Sequence, residues 1–225
     1  MDTFYASWVK RPFDLLLSGI LLLIFSPLLL GVAALLLIRE GRPVLFCQAR
    51  PGLGEKTFTL IKFRTMQLTR PGETDPVSDE GRVTALGRFL RKTSIDELPE
   101  LWNVLKGDMS LVGPRPLLIR YLPYFTPAER IRFTLLPGIT GLAQIQGRNN
   151  ASWDERLAAD IEYAQTLGFQ RDFQILLATV SKVLLRKDVQ VAPSTAMLNL
   201  DQERASGGSA PQGLESSRQP DGSDA

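Results

Sequence analysis

The stretch Arg88–Pro116 (RFLRKTSIDELPELWNVLKGDMSLVGPRP) holds the densest set of residues able to do chemistry. Asp96 and Glu97 are adjacent acids at the start of an expected helix, where the N-terminal end of the helix dipole stabilises carboxylates and attracts anions. Arg88, Arg91, Lys92 and Arg115 lie close in sequence, and Lys62 and Arg64 are candidates to join them from an expected hairpin. Arginine forks contact phosphate oxygens in pairs, so this set suits a diphosphate. Two acids amid such cations also suit a magnesium ion, Mg2+, bridging phosphates. Arg115 stands between Pro114 and Pro116, which restrict the backbone and argue against a casually solvated side chain. On these residues alone, an acid pair that only caps a helix and a purely structural proline loop both stay open.

The chain of 225 residues has no histidine and a single cysteine, Cys47. This excludes Cys/His zinc sites, Ser-His and Cys-His nucleophile pairs, and any disulfide within the chain. Cys47 reads as a small residue of a strand. No G-x-G-x-x-G or Walker A pattern occurs. Formal net charge is only +2, so overall charge points to no nucleic acid partner. Basic residues instead cluster at Lys10–Arg11, Arg39–Arg50 and Lys62–Arg70. They flank or follow the apolar N-terminus, as expected of a surface facing anionic lipid or phosphate.

The elements that must position these residues read as a mainly α fold with one small β-hairpin. Pro43–Phe46 and Thr57–Phe63 have strand character, with Arg50–Gly54 as the turn. Residues 69–83 are polar and turn-rich. Thr84–Arg91 and Leu98–Leu105 read as short helices, the second capped by Ser94 or Asp96 with Pro99 near its first turn. Gly113–Pro116 is a rigid loop. Leu117–Leu136 suits short amphipathic helices lying on a membrane surface, or an ordinary buried pair. Ser152–Leu167 and Phe173–Leu185 read as helices, and the tail from about Ala205 as disordered. The organisation expected is a membrane helix over 1–40, a cytoplasmic catalytic domain over 41–200 and a tail over 201–225.

Phe13–Ile38 is nearly all apolar and, as a straight helix, would reach roughly 39 Å, enough to span a bilayer core. Pro27, after Ser26, removes a backbone donor at its centre and predicts a kink or break, with the serine returning a hydrogen bond to the freed backbone. Lys10 and Arg11 precede the segment, and Arg39 and Arg42 follow it. The positive-inside rule places both flanks in the cytoplasm, which a re-entrant helix satisfies. A plain span with a tolerated proline is the alternative. Asp14, just inside the apolar run, needs a partner, and Lys10 and Arg11 are the nearest.

The run TSIDELPELWNVLKGDMSLVGPRP resembles the signature of the bacterial sugar transferases, the monotopic phosphoglycosyl transferases. Lys62–Met66, Pro137–Gln144, Gly147–Asn149, Lys10-Arg11, Asp14 and Ser26-Pro27 also match, so the resemblance covers about residues 8–190. It resembles the small form of the family. The resemblance implies a nucleophilic Asp96, which attacks the sugar-linked phosphate of a UDP-sugar, releases UMP, and passes the aspartyl phosphosugar to a polyprenyl phosphate. It implies Mg2+ at Asp96 and Glu97, with Glu97 binding the ion, assisting proton transfer, or both. It implies phosphate contacts from Arg91, Arg115 and more weakly Lys62 and Arg64, substrate binding by Arg148, and a place on the cytoplasmic face of the bacterial inner membrane. The run Gly147–Trp153 with Arg156 resembles members acting on UDP-N,N′-diacetylbacillosamine and other N-acetylated amino sugars, and so points toward protein glycosylation. Hexose donors, as in exopolysaccharide assembly, are the alternative. Thr166–Phe169 departs from the family's usual Ser-Leu or Ser-Phe step. Two other classes compete: a membrane anchor for glycan-assembly partners, and a membrane phosphatase or hydrolase with water as acceptor. A homodimer and a monomer are both compatible with the sequence.

Overall fold

The computed structural model describes residues 2–68, 79–146, 151–185 and 199–206. Arg148 with the rest of the Gly147–Asn149 motif, most of the 69–83 loop, and nearly all of the expected tail lie outside the described residues. α1 (Lys10–Glu40) follows a π-helical turn at Tyr5–Val9. β1 (Leu45–Pro51) and β2 (Thr57–Phe63) form the predicted antiparallel hairpin, with Cys47 opposite Ile61. α2 (Asp79–Arg82), α3 (Ala85–Lys92) and α4 (Glu100–Lys106) come next. β3 (Ser110–Val112) pairs in parallel with β4 (Gly138–Thr140). α5 (Leu142–Gln146), α6 (Trp153–Thr166), α7 (Phe169–Leu185) and α8 (Leu200–Ser206) follow. Ser152 and Glu155 close a reciprocal capping box that starts α6.

α1 is long and apolar enough to cross a membrane, and little of its apolar stretch is covered by the rest of the chain. It does not break at Ser26-Pro27 but continues as helix through Pro27. In an α-helix the amide of position 27 would bond the Leu23 carbonyl, and proline has no such donor. Ser26 Oγ donates to that same carbonyl at 2.8 Å. The acceptor left over by the proline is therefore satisfied, which is what a helix in lipid requires.

Both ends of α1 are tied to one body. At its start, Arg11 donates to the carbonyls of Val104, Leu105 and Met109. Lys10 pairs with Asp172 and donates to the Val112 carbonyl at 2.9 Å. Asp14, expected to pair with Lys10 and Arg11, makes its bonds elsewhere. It accepts from Ser110 Oγ at 2.7 Å and from the Leu111 amide at 3.2 Å. β3 supplies both donors, so this buried carboxylate is satisfied while the two cations serve other acceptors. At the far end of α1, Val32 and Leu36 pack with Phe63 of β2 and Leu90 of α3. Arg64 there donates to the carbonyls of Glu40, Gly41 and Arg42 at 2.6, 2.9 and 3.3 Å. The last carbonyls of a helix lack intrahelical partners, and a cation at that end suits the dipole.

The segment after the proline loop turns one side inward and leaves Ile119, Arg120 and residues 126–128 exposed. Ile119–Tyr124 and Glu129–Thr134 are short 3-10 helices whose Tyr121, Phe125 and Phe133 pack with Trp153, Leu157 and Leu200. The edge-to-face ring pairs Tyr121–Trp153 and Phe125–Phe133 give these aromatics an enclosed home that a lipid surface would not. The exposed apolar stripe is on α7 instead, at Phe169, Phe173, Leu177 and Val180. These residues recur at the spacing of one helix face.

Candidate active site

Asp96 sits on a 3-10 turn, Ile95–Glu97, between α3 and α4. The chain enters it through Ser94 at φ 55°, a left-handed conformation that is uncommon outside glycine and costs energy. Neither Ser94 nor Asp96 caps a helix with its side chain, contrary to the sequence reading. α4 starts after Pro99, which lacks one of the amides a cap would serve. The Asp96 carboxylate is thereby left uncommitted: among the described residues it takes part in no hydrogen bond or ion pair. Asp96 is 8% exposed. Burial, and then the neighbouring Glu97, push its pKa up to about 6 against the pull of Lys62, Arg91 and Arg115.

Glu97 is the opposite case. Lys62 Nζ at 2.7 Å and Arg115 Nη2 at 2.8 Å both sit on its Oε1. Burial works against its charge, but Arg115 and Lys62 together hold it well below the usual carboxylate range. The geometry thus distinguishes the two acids, one held and one free. A third acid, Glu100, was not foreseen. It is 2% exposed, with Oε1 3.0 Å from Lys62 Nζ. Burial, followed by Glu97, raises Glu100 to about 7. Its place one turn after Asp96 in DELPE was the available signal.

Among the predicted cations, Lys62, Arg91 and Arg115 come together around Asp96. Arg91 Nε donates to Thr65 Oγ1 at 2.9 Å. Arg64 borders the cavity these groups share, and its guanidinium also donates to the carbonyls that end α1. Arg88 is turned to the Val83 carbonyl. Arg115 owes its aim to a close backbone crossing. A Cβ on Gly138 would lie 2.1 Å from the Gly113 amide, and one on Gly113 would lie 2.4 Å from the Leu136 carbonyl. Only glycine permits that approach, and it sets the path of Pro114-Arg115-Pro116.

These groups open into a cavity of about 1070 Å³. Asp96, Glu97, Lys62, Arg91 and Arg115 form its polar wall, while Leu21, Phe25 and Leu28 of α1 with Leu176 and Val180 of α7 give it an apolar side. The long apolar helix therefore lines the same space as the acids. A nucleotide-sized polar ligand and an aliphatic chain can share such a volume. Among the described residues no three Cys, His, Asp or Glu side chains gather as a metal cage. The free Asp96 carboxylate beside Glu97 does fit a hard ion that takes most of its oxygens from phosphate and water.

The profile of the bacterial sugar transferase family matches residues 5–186. The uncharacterized sugar transferase EpsL of Bacillus subtilis is 49% identical over 182 residues, which cover 81% of this chain and 90% of that protein. The UDP-glucose:undecaprenyl-phosphate glucose-1-phosphate transferase of Caulobacter vibrioides is 42% identical over 78% of this chain and 69% of its own length. The undecaprenyl-phosphate galactose phosphotransferase of Salmonella typhimurium is 38% identical over 80% of this chain, which spans 41% of that longer protein.

Proposed function

The chain belongs to the bacterial sugar transferases, and from that membership we propose that it is the phosphoglycosyl transferase that moves a sugar-1-phosphate from a UDP-sugar to undecaprenyl phosphate. The observation that carries the reading is the unbonded Asp96 carboxylate among Lys62, Arg91 and Arg115, in a cavity whose other side is apolar and built partly from α1.

The reaction runs in two displacements. An Asp96 oxygen bonds to the sugar-linked phosphorus as the bond from that phosphorus to the bridging oxygen breaks, and UMP leaves with the electron pair. An oxygen of undecaprenyl phosphate then bonds to the same phosphorus as the aspartyl oxygen leaves, which restores the carboxylate and yields undecaprenyl diphosphate sugar. Arg115 and Arg91 stabilise charge on the phosphoryl oxygens. Glu97 holds Lys62 and Arg115 in place for that task. Mg2+ would be held by Asp96 and Glu97 with substrate oxygens, and when bound would draw charge off the diphosphate.

The membrane arrangement belongs to the same proposal. Arg11 ties the start of α1 to the body that carries the cavity, and Arg64 of that body holds its last carbonyls; this supports a helix that bends within its continuous length at Ser26-Pro27 and so enters and leaves lipid on one face, with the cavity toward the cytoplasm. The exposed α7 stripe would rest on that face. The donor proposed is an N-acetylated amino sugar, on the resemblance carried by residues 147–156. A hexose is the second reading, favoured by the glucose and galactose in the relatives' names.

Radiolabel transfer to undecaprenyl phosphate from a panel of UDP-sugars with magnesium tests all of this, comparing wild type with Asp96→Asn. Lipid labelling from an amino-sugar donor, lost in the variant, is expected. Labelling from hexose donors alone would replace the sugar, and robust labelling by Asp96→Asn would remove the covalent step. Equal release of UMP without lipid acceptor would favour hydrolysis.

A further inference from the structure

One wall of the cavity is left unused by the phosphate chemistry. Trp153, Arg156, Leu157 and Asp160 of α6 line it at i, i+3, i+4 and i+7, one face of the helix. Arg132 joins them from the preceding 3-10 helix. Asp160 is 5% exposed, and its one ion pair among the described residues is with Arg132 Nη2 at 3.2 Å. An ionised carboxylate offers about four acceptor sites, so most of its capacity is unspent. Burial pushes the Asp160 carboxyl up to about 6, although Arg132 opposes this.

Arg132 is held rigidly. Its guanidinium lies 5.3 Å from the Phe125 ring centre and 5.7 Å from that of Phe133. Nη2 also donates to the Arg115 carbonyl, and the buried Nη1 has no partner among the described residues. Leaving a buried charged donor unpaired is costly, which points to a ligand that supplies an acceptor. Arg156 stands over the Trp153 ring at 5.5 Å, its Nε on the Ala151 carbonyl at 3.1 Å.

An unspent acceptor set beside an orphaned donor complements a group that donates and accepts at once, and neighbouring hydroxyls on a ring do both. Trp153, beneath Arg156, adds apolar surface to the same wall. The bond from Arg132 to the Arg115 main chain places this pair next to the cation that takes the diphosphate. We propose that Arg132 and Asp160 form the subsite for a hydroxyl-bearing ring of the donor, with Trp153 and Arg156 as its side wall. A pyranose and the ribose of the nucleotide share this chemistry. The inference rests on the proposed donor being a UDP-sugar.

The test uses the full chain in lipid nanodiscs and compares wild type, Asp160→Asn, Asp160→Glu and Arg132→Lys. Donor KM, kcat, and inhibition by UMP are measured for two epimeric UDP-sugars. A donor KM raised about tenfold with kcat little changed is expected, the size of one lost charged hydrogen bond. If the pyranose occupies the subsite, UMP inhibition stays at its wild-type strength and the preference between epimers shifts. If the ribose does, UMP inhibition weakens by the same factor and both donors lose equally. Wild-type donor KM and UMP inhibition in whichever variants melt within about 5 °C of wild type would overturn the subsite. Should wild type label no lipid from any donor, the proposed function fails, and calorimetric binding of UMP and UDP-sugars to the same proteins still decides the subsite.

Discussion

Replacing Asp96 with Asn should abolish transfer and at the same time make the protein more stable at pH 8. The native pKa is raised from 3.8 to about 6. An acid with a raised native pKa contributes stability that is complete below its unfolded pKa and is lost as pH rises through the native one. Above about pH 6 the folded protein therefore carries a charge that burial and Glu97 disfavour. A shift of about two units corresponds to roughly 3 kcal/mol, of which Asn, neutral at every pH, avoids most. For a chain of this size that is a gain of about 5–10 °C in melting temperature. Thermal unfolding in detergent should show the gain at pH 8 and its disappearance near pH 4, where wild-type Asp96 is also becoming neutral. A variant less stable than wild type at pH 8, or one whose gain ignores pH, would refute the electrostatic account of a carboxylate kept uncommitted at a cost in stability.

Other substitutions probe the parts around it. Wild-type kcat/KM should fall on the acid side with a midpoint near pH 6 as Asp96 takes up a proton, and a profile flat from pH 5 to 8 would exclude an ionised Asp96 as the attacking group. Arg115→Ala should lower transfer by about 10²–10³, the usual loss when one charge-stabilising donor is removed; a change under about tenfold would leave Arg115 as a strut for Glu97 only. Ser26→Ala should destabilise the protein in nanodiscs by about 1 kcal/mol by orphaning the Leu23 carbonyl, and the added Pro27→Ala should repair it by restoring the amide donor. A double variant weaker than the single one would refute that pairing. Arg64→Ala should expose the chain between α1 and β1 to protease in sealed vesicles without changing the donor KM, whereas a raised donor KM would return Arg64 to the phosphate site.

The long run from Thr93 to Pro116 pointed to the cavity wall that carries Asp96, Glu97 and Arg115 because its residue types have few joint uses. An acid pair, a ring of arginines and a proline-bound loop seldom coincide by packing alone. Hairpin strands, α3 and α6 were legible from period and caps, Thr84 and Ser152 being caps in fact. The β3–β4 pair was hidden, since three-residue strands carry no period and their pairing rests on Gly113 and Gly138 meeting across the sequence. Leu117–Leu136 left two readings open for a related reason: mixed apolar and basic residues look alike whether their aromatics face lipid or a cluster formed with Trp153 and Leu200. Asp14 misled because a charge in a sequence does not say which groups it will bond. Asp160 was visible only as the last member of W-x-x-R-L-x-x-D, an acid on a face otherwise turned inward.

A helix moored at both ends behaves differently from one that hangs in the bilayer by its own length. A free span answers a thicker or thinner membrane by changing its tilt, and whatever is attached to it swings as well. Here Arg11 and Arg64 fasten α1 at two points to the body that carries the cavity. In the proposed membrane arrangement, acyl-chain length would have little leverage on the height at which Asp96 meets a lipid phosphate, and hydrophobic mismatch would be taken up by the lipid around the helix rather than by the depth of the cavity.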